Sequence, residues 1–387
     1  MKEKLFTKIK KTTKAVFPRS SRLSTLSSED VLSIVYNEFE STLSCDDIVC
    51  NKNSDSDKVV YNLVFLHGTG MNKEIWNYHI EKIFEYCLVK KTEINWKLGK
   101  VISVDMVNHC DSYLLNRDKL GVEYNWIDGS KDVIKIMKEE KLYMKEEKRK
   151  RVKNILIGHS LGGFQVLMIG FLEPNLVDSI LSIDPVIYTD GNNERTIKRF
   201  STLYSSILKS EFKNLKECKE YFYKKSIFKD FHPRILEDYM KSEINYVEKN
   251  GERRIELKSN VKQQMATYMS VFKVIKTGMR ILELISKEIE VVHIIGTKAR
   301  WNDQRAYKYI REKIQNCQKV DIENAKHLLN CEEPDRMVTL IVQQLHRRAQ
   351  EKQTQRRGSD SETRAALFES EFQRHIEDRL SRRSTKL

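Results

Sequence analysis

From Tyr61 onward, apolar positions alternate between two spacings. The run NLVFLHGTG is a short apolar block stopped by glycines, which predicts a buried strand. KEIWNYHIEKIFEYCLV carries its apolar residues at helical spacing. KVISVDMVNHCDS predicts a second strand and NWIDGSKDVIKIMKEEKLY a second amphipathic helix. VKNILIGHSLGG predicts a third strand with FQVLMIGFL as its helix, and DSILSIDPVIYTDG holds a fourth strand. Strands alternating with helices predict an α/β fold, a mostly parallel sheet covered on both faces.

After Asp190 the alternation stops, and residues 191–288 read as a helical cap with few strand signals. TIKRFSTLYSSILKSEF, PRILEDYMKSEINYV and NVKQQMATYMSVFKVIKTGMRILELI are predicted helices. Strands resume at EVVHIIGT and QKVDIENAKH, so residues 30–190 and 289–346 form the two parts of one core. An insertion this long is no ordinary connection. It leaves the sheet at the strand ends where open α/β folds bind ligands, which favours a lid over a structural subdomain.

The two ends read differently. Residues 1–29 are basic, with a weak apolar stripe at Leu5, Phe6 and Ile9, and are expected to be a mobile lead-in. Residues 347–387 begin as a polar linker. An amphipathic helix follows, with a Ser359/Glu362 capping box and a stripe of Phe368, Phe372, Ile376 and Leu380.

Composition narrows the classes. With 387 residues, 40% of them hydrophobic, the chain can bury a large core. The net charge of +14 comes from lysine and arginine spread among glutamates, as in KEEKLYMKEEKRKR, which reads as solvated surface. No nucleic-acid motif accompanies it, and no nucleic-acid partner is expected. Seven cysteines without a C-x-x-C pair suit thiols in a reducing compartment. No run reads as a transmembrane helix or signal peptide, so a soluble protein is expected. No H-E-x-x-H occurs and the His and Cys spacings suit no ligand set, so neither metal nor cofactor is expected.

The chemistry concentrates at Gly158-His159-Ser160-Leu161-Gly162-Gly163, a G-x-S-x-G match between a strand and a helix. That setting suits a nucleophile elbow, with Ser160 as nucleophile and the Leu161 N–H at the helix start as an oxyanion donor. A side chain at Gly158 or Gly162 would clash with the neighbouring elements. A second oxyanion donor is expected from the Thr69 N–H in HGTG, with His67 as a turn residue. A serine needs a base, and His327 follows the last strand, where the order Ser, acid, His requires it. His293 lies inside an apolar strand and reads as core; His232 and His346 fall in helical or linker segments. For the acid, Asp184 at a strand end is preferred over Asp303, which lies several residues past the glycine of VVHIIG. DMVNHCDS, similar to a D-x-x-x-H-G-x-S loop with Cys110 in the glycine position, reads as structural.

The order FLHGTG, GHSLGG, a helical insertion, then AKHLL resembles the α/β-hydrolase superfamily over about residues 30–345. NLVFLHGTGM, NWIDGSKDV and GHSLGGFQ are similar, more closely, to the yeast peroxisomal lipase family. That resemblance implies a soluble peroxisomal acyl-ester hydrolase with Ser160 as nucleophile and His327 as base. The family pattern carries a glutamate where this chain has Asp184, so the acid stays open between Asp184 and Asp303. The final Thr385-Lys386-Leu387 is close to the S-K-L address and implies a peroxisomal import receptor as partner. The leading expectation is hydrolysis of lipid carboxylic esters in the peroxisomal matrix. An acyl-CoA thioesterase and a non-catalytic binding protein on the same scaffold are the alternatives.

Overall fold

The six segments expected as parallel strands lie side by side in one eight-stranded sheet. The computed structural model describes residues 5–42, 58–142, 152–190 and 207–350, and further on residues 368–369, 372–373 and 376–377. Strands β1 (Phe6–Lys14), β2 (Ser33–Ser41), β3 (Val59–Leu66), β4 (Trp96–Val104), β5 (Val152–His159) and β6 (Ser179–Ile183) precede the insertion. The insertion carries β7 (Glu211–Phe212), β8 (Ile244–Lys249) and β9 (Glu252–Leu257), and β10 (Glu290–Gly296) and β11 (Cys317–Ile322) follow. The order across the main sheet is β1-β2-β4-β3-β5-β6-β10-β11. From β4 to β11 every neighbouring pair is parallel, while β2 is antiparallel to both β1 and β4.

Period-two alternation divides the core between the faces. Val64, Leu66, Leu156 and Ile180 pack under the helices Trp126–Glu139, Leu161–Leu172 and Val261–Ile281. Leu63, Phe65, Ile157 and Leu181 pack under Asn77–Val89 and Pro334–Gln350. The chain leaves β3 to pair with β4 on one side and β5 on the other, so the strand order reverses there. Leu66 aligns with Gly158, and His159 with Ile183, which brings the loops after β3, β5 and β6 together at one edge. Ligand sites of open α/β sheets form at such a reversal.

Three expectations need correction. The N-terminal segment is not a mobile lead-in: β1 pairs along its whole length with β2, from Phe6↔Ser41 to Lys14↔Ser33. Phe6 packs edge-on against Phe39 with ring centroids 5.5 Å apart. Its lysines have acidic partners: Lys8 pairs with Glu74, Lys11 with Glu38, and Lys10 with Asp111 at 2.8 Å. Beyond the strand, Arg19 is buried and binds both oxygens of Asp132, at 2.7 and 2.9 Å. A lysine-rich edge strand looks like a solvated tail in sequence, because charge is also how sheet edges are protected.

Secondly, the cap is not purely helical. PRILEDYMKSEINYV splits into the helix Pro233–Glu243 and strand β8, and β7, β9 and β8 form a small antiparallel sheet. Asn250 and Gly251 join β8 to β9, both at left-handed φ (54° and 76°). Asn-Gly is the dipeptide a two-residue hairpin favours, and it was the available signal. Thirdly, the polar linker does not begin at residue 347; the last helix of the core runs on to Gln350. His346 Nε2 lies 2.8 Å from the Tyr86 hydroxyl.

The segment Glu351–Leu387 is a separate unit. Within it Phe368 and Phe372 stack with centroids 5.9 Å apart, as residues four apart on a helix do. Ser359, Glu362, Leu380 and the final tripeptide lie outside the described residues, as does most of TIKRFSTLYSSILKSEF.

Candidate active site

Strand β5 delivers Ser160 into a turn tight enough to hold it at φ 55°, ψ −110°. A non-glycine residue there costs on the order of 1–3 kcal/mol and persists only where its surroundings enforce it. The surroundings are close: a Cβ on Gly158 would lie 2.2 Å from the Gly162 carbonyl oxygen, and one on Gly162 would lie 2.4 Å from that of Leu66. Both glycines therefore let the helix Leu161–Leu172 start directly against the sheet. The Ser160 N–H donates to the Ile183 carbonyl at 2.9 Å, which ties the turn to β6.

His327 stands in the loop after β11 with its Nε2 3.2 Å from Ser160 Oγ. Its Nδ1 is 2.5 Å from Asp184 Oδ2. Asp184 follows β6 at φ 40°, another left-handed non-glycine position, and its N–H donates to the Ile294 carbonyl at 2.8 Å. Its second oxygen accepts from Asn302 Nδ2 at 3.0 Å and faces the Tyr307 hydroxyl at 3.5 Å. Burial alone would raise the Asp184 carboxyl. The His327 charge and hydrogen bond, helped by Asn302, outweigh it and hold the group below the usual carboxylate range.

Ser160, His327 and Asp184 are thus brought together, and Asp303 is not. Asp303 Oδ1 accepts from the Arg305 and Ala306 N–H groups at 3.0 Å and caps the helix Gln304–Lys313. Its other oxygen binds the Arg305 guanidinium at 2.7 Å. Asn302 and Tyr307 were not singled out in the sequence. Asn302 lies in the same stretch after VVHIIG as Asp303, one residue before it.

Across the pocket, Thr69 is buried in the loop after β3. In that loop the Gly70 N–H donates to His109 Nε2 at 3.0 Å and the Met71 N–H to the Gly68 carbonyl at 3.1 Å. Among the described hydrogen bonds the Thr69 amide is not engaged. The Leu161 N–H opens a helix, where the first amides have no intrahelical partner. The side chain of His67 holds its own loop: Nδ1 donates to the Gly68 carbonyl at 2.8 Å and Nε2 accepts from the Met106 N–H. DMVNHCDS braces this loop through His109. Cys110 takes φ 43°, the left-handed conformation that a glycine would adopt without strain. Burial is the main force keeping His67, His109 and His159 neutral, pushing His67 down to about 4 and His159 to about 3.

Asp105, Cys110 and Asp111 offer donor atoms within 4.8 Å of one another. The buried Lys73 Nζ binds Asp105 at 2.7 Å and Asp111 at 2.8 Å, and Lys258 binds Asp111 at 2.6 Å. That charge set locks the turn after β3 to the loop after β4.

A pocket of about 490 Å³, its open mouth included, lies over Ser160 and His327. Core residues Trp126, Val186, Trp301 and Leu328 form part of its wall, and Ile227, Phe228, Tyr268 and Val271 of the insertion another part. Tyr268 and Trp301 stack at 5.9 Å with planes 3° apart. Met269, on the same helix Val261–Ile281 as Tyr268, is exposed instead.

Residues 63–340 match the profile described as the alpha/beta hydrolase family. The chain belongs to the α/β-hydrolase family. This α/β-hydrolase is 29% identical over 360 residues to the peroxisomal membrane protein LPX1 of Saccharomyces cerevisiae, covering 89% of this chain and 88% of the relative. Its structure superposes on that of the Saccharomyces cerevisiae peroxisomal alpha-beta-hydrolase Lpx1 with a TM-score of 0.78, at 27% identity, covering 96% and 98% of the two chains. A shorter match of 121 residues, 24% identical, joins it to a type I acyl-CoA thioesterase, mpaH, of Penicillium brevicompactum; it covers 31% of this hydrolase and 25% of the relative. The resemblance to the yeast peroxisomal lipase family, read from NLVFLHGTGM, NWIDGSKDV and GHSLGGFQ, therefore extends over most of the chain.

Proposed function

We propose that this protein is a peroxisomal serine hydrolase that cleaves carboxylic esters of lipids through an acyl-enzyme. The observation that carries the reading is the unbroken line from Ser160 Oγ through His327 to Asp184, with contacts of 3.2 and 2.5 Å. His327 Nε2 takes the Ser160 proton as the oxygen attacks the ester carbonyl. Asp184 accepts from Nδ1–H, fixing the tautomer and stabilising the imidazolium. The Leu161 and Thr69 N–H groups hold the oxyanion; one such donor is typically worth about a hundredfold or more in rate. His327 returns its proton to the leaving alcohol, and water then cleaves the acyl-enzyme with the same histidine as base. No metal or cofactor is needed for this sequence. The apolar walls favour an acyl chain over a polar acid.

A thioesterase acting on acyl-CoA is the second reading, favoured by the shared segment with the Penicillium enzyme. A chain-length series of nitrophenyl esters assayed beside the matching acyl-CoA esters separates the two. The ester reading expects kcat/KM to rise with chain length for esters and to exceed that for the thioesters; the reverse ranking would favour the thioesterase. For location, the peroxisomal names of the yeast relatives and Thr385-Lys386-Leu387 support import through the tripeptide receptor. A fluorescent fusion lacking the last three residues is expected to stay in the cytosol. Unchanged peroxisomal targeting would remove that part of the proposal.

A further inference from the structure

We infer that His159 is a positioning residue: one buried imidazole fastens both the loop that carries His327 and the loop that carries Thr69 to the turn that carries Ser160. The inference rests on the proposal that Ser160 and His327 do the chemistry.

Three contacts meet on this ring. His159 Nε2 lies 2.8 Å from the backbone carbonyl oxygen of His327. A carbonyl only accepts, so Nε2 carries the proton and donates. The ring also packs on the His327 imidazole, with centroids 4.8 Å apart and planes at 48°. The third contact is on the opposite side of the ring. With Nε2 protonated, Nδ1 is a bare lone pair, fully buried, and has no N–H or O–H partner among the described residues. A Cβ built on Gly68 would lie 2.8 Å from that nitrogen and 3.3 Å from Ser160 Cβ. Only a glycine fits there, so the Gly68 backbone packs directly against this edge of the ring. Gly68 immediately precedes Thr69, so the ring seats the loop that carries Thr69.

The tautomer suits the task. Burial, and the nearby His327 charge, hold His159 neutral, so the ring adds no charge against the His327 imidazolium as it forms. Its donor acts on the main chain of His327 rather than on its ring, so it sets where the base stands and not how basic it is. A displacement of about 1 Å between reacting groups can cost about a hundredfold in rate.

Two variants separate position from packing. His159→Phe keeps a ring of similar size and removes the donor. His159→Gln places an amide N–H where Nε2 stood. The prediction for H159F is a kcat lower by about ten- to a hundredfold with KM within about twofold, because a shifted base weakens the transition state more than substrate binding. H159Q is expected to recover most of the loss. Nitrogen-15 NMR of the histidine rings provides a readout that needs no turnover. His159 is expected as the neutral Nε2–H tautomer from about pH 5 to 8, with the His327 ring signals shifted in H159F and near wild type in H159Q. A kcat within twofold of wild type in H159F, equal losses in both variants, or unmoved His327 signals in H159F would overturn the inference. Should the wild type turn over no ester and take no fluorophosphonate label, the catalytic proposal fails; the NMR spectra would still report whether His159 holds the His327 loop.

Discussion

Ser160→Ala is expected to lower kcat on a nitrophenyl ester by on the order of a millionfold, the scale of loss when a serine nucleophile is removed from an intact triad. The fold should not change. Alanine keeps the Cβ, so the turn at φ 55° bears the same strain, and Gly158 and Gly162 still admit the helix. A residual rate of about a thousandfold over water is expected, because the Leu161 and Thr69 amides and the pocket remain. The check is the pairing of steady-state rates with labelling by a fluorophosphonate probe. Wild type should react with one probe per chain and the variant with none. Labelling that persists in the variant would place the nucleophile elsewhere, and an unlabelled, inactive wild type would leave the binding-protein reading.

Asp184→Asn is expected to reduce kcat by about ten-thousandfold with little change in the contacts of the site. The amide would present N–H to His327 Nδ1, which lies 2.5 Å from the native carboxylate. The ring must then carry its proton on Nε2, where it cannot accept from Ser160 Oγ. Asp303→Ala is the companion variant. It removes a helix cap, at a cost of about 1 kcal/mol in stability, and should leave kcat within about twofold. Comparable losses in both would show that the acid had been misassigned. The pH dependence follows from the direction of the shift. A carboxyl held below its ordinary value adds stability above that ordinary value and loses it as pH falls through the lower folded one. Loss of activity on acidification above about pH 4 is therefore not protonation of Asp184.

The sequence made the parallel core legible because buried strands need long apolar runs: those at Leu63–Leu66 and Ile155–Ile157 have no polar interruption, and Val291–Ile295 has only His293. Ser160 and His327 were legible for a different reason: the elbow demands glycines at fixed spacing, and the histidine has only one place in the order. β1 was hidden because its outward lysines find Glu74, Glu38 and Asp111 from distant segments. No local pattern reveals such partners. The small sheet in the cap was hidden by periodicity as well, although Asn250-Gly251 marked its turn. Asn302 could not be read at all. Its value lies in reaching Asp184 across 118 positions of chain, and the sequence around it invited a search for an acid instead.

The insertion between β6 and β10 also orders events in time. Ser160 and Asp184 are synthesised before it and His327 after it, while Ile183 must wait for Ile294 to become its sheet neighbour. Pairings so far apart in sequence form late and slowly. A chain still tethered to the ribosome thus holds the serine and the carboxylate without the imidazole that, in the proposed mechanism, takes the serine's proton. On the proposed mechanism, competence arrives as one of the final acts of synthesis, and a product cut short anywhere before position 327 would lack its base however well the rest had folded.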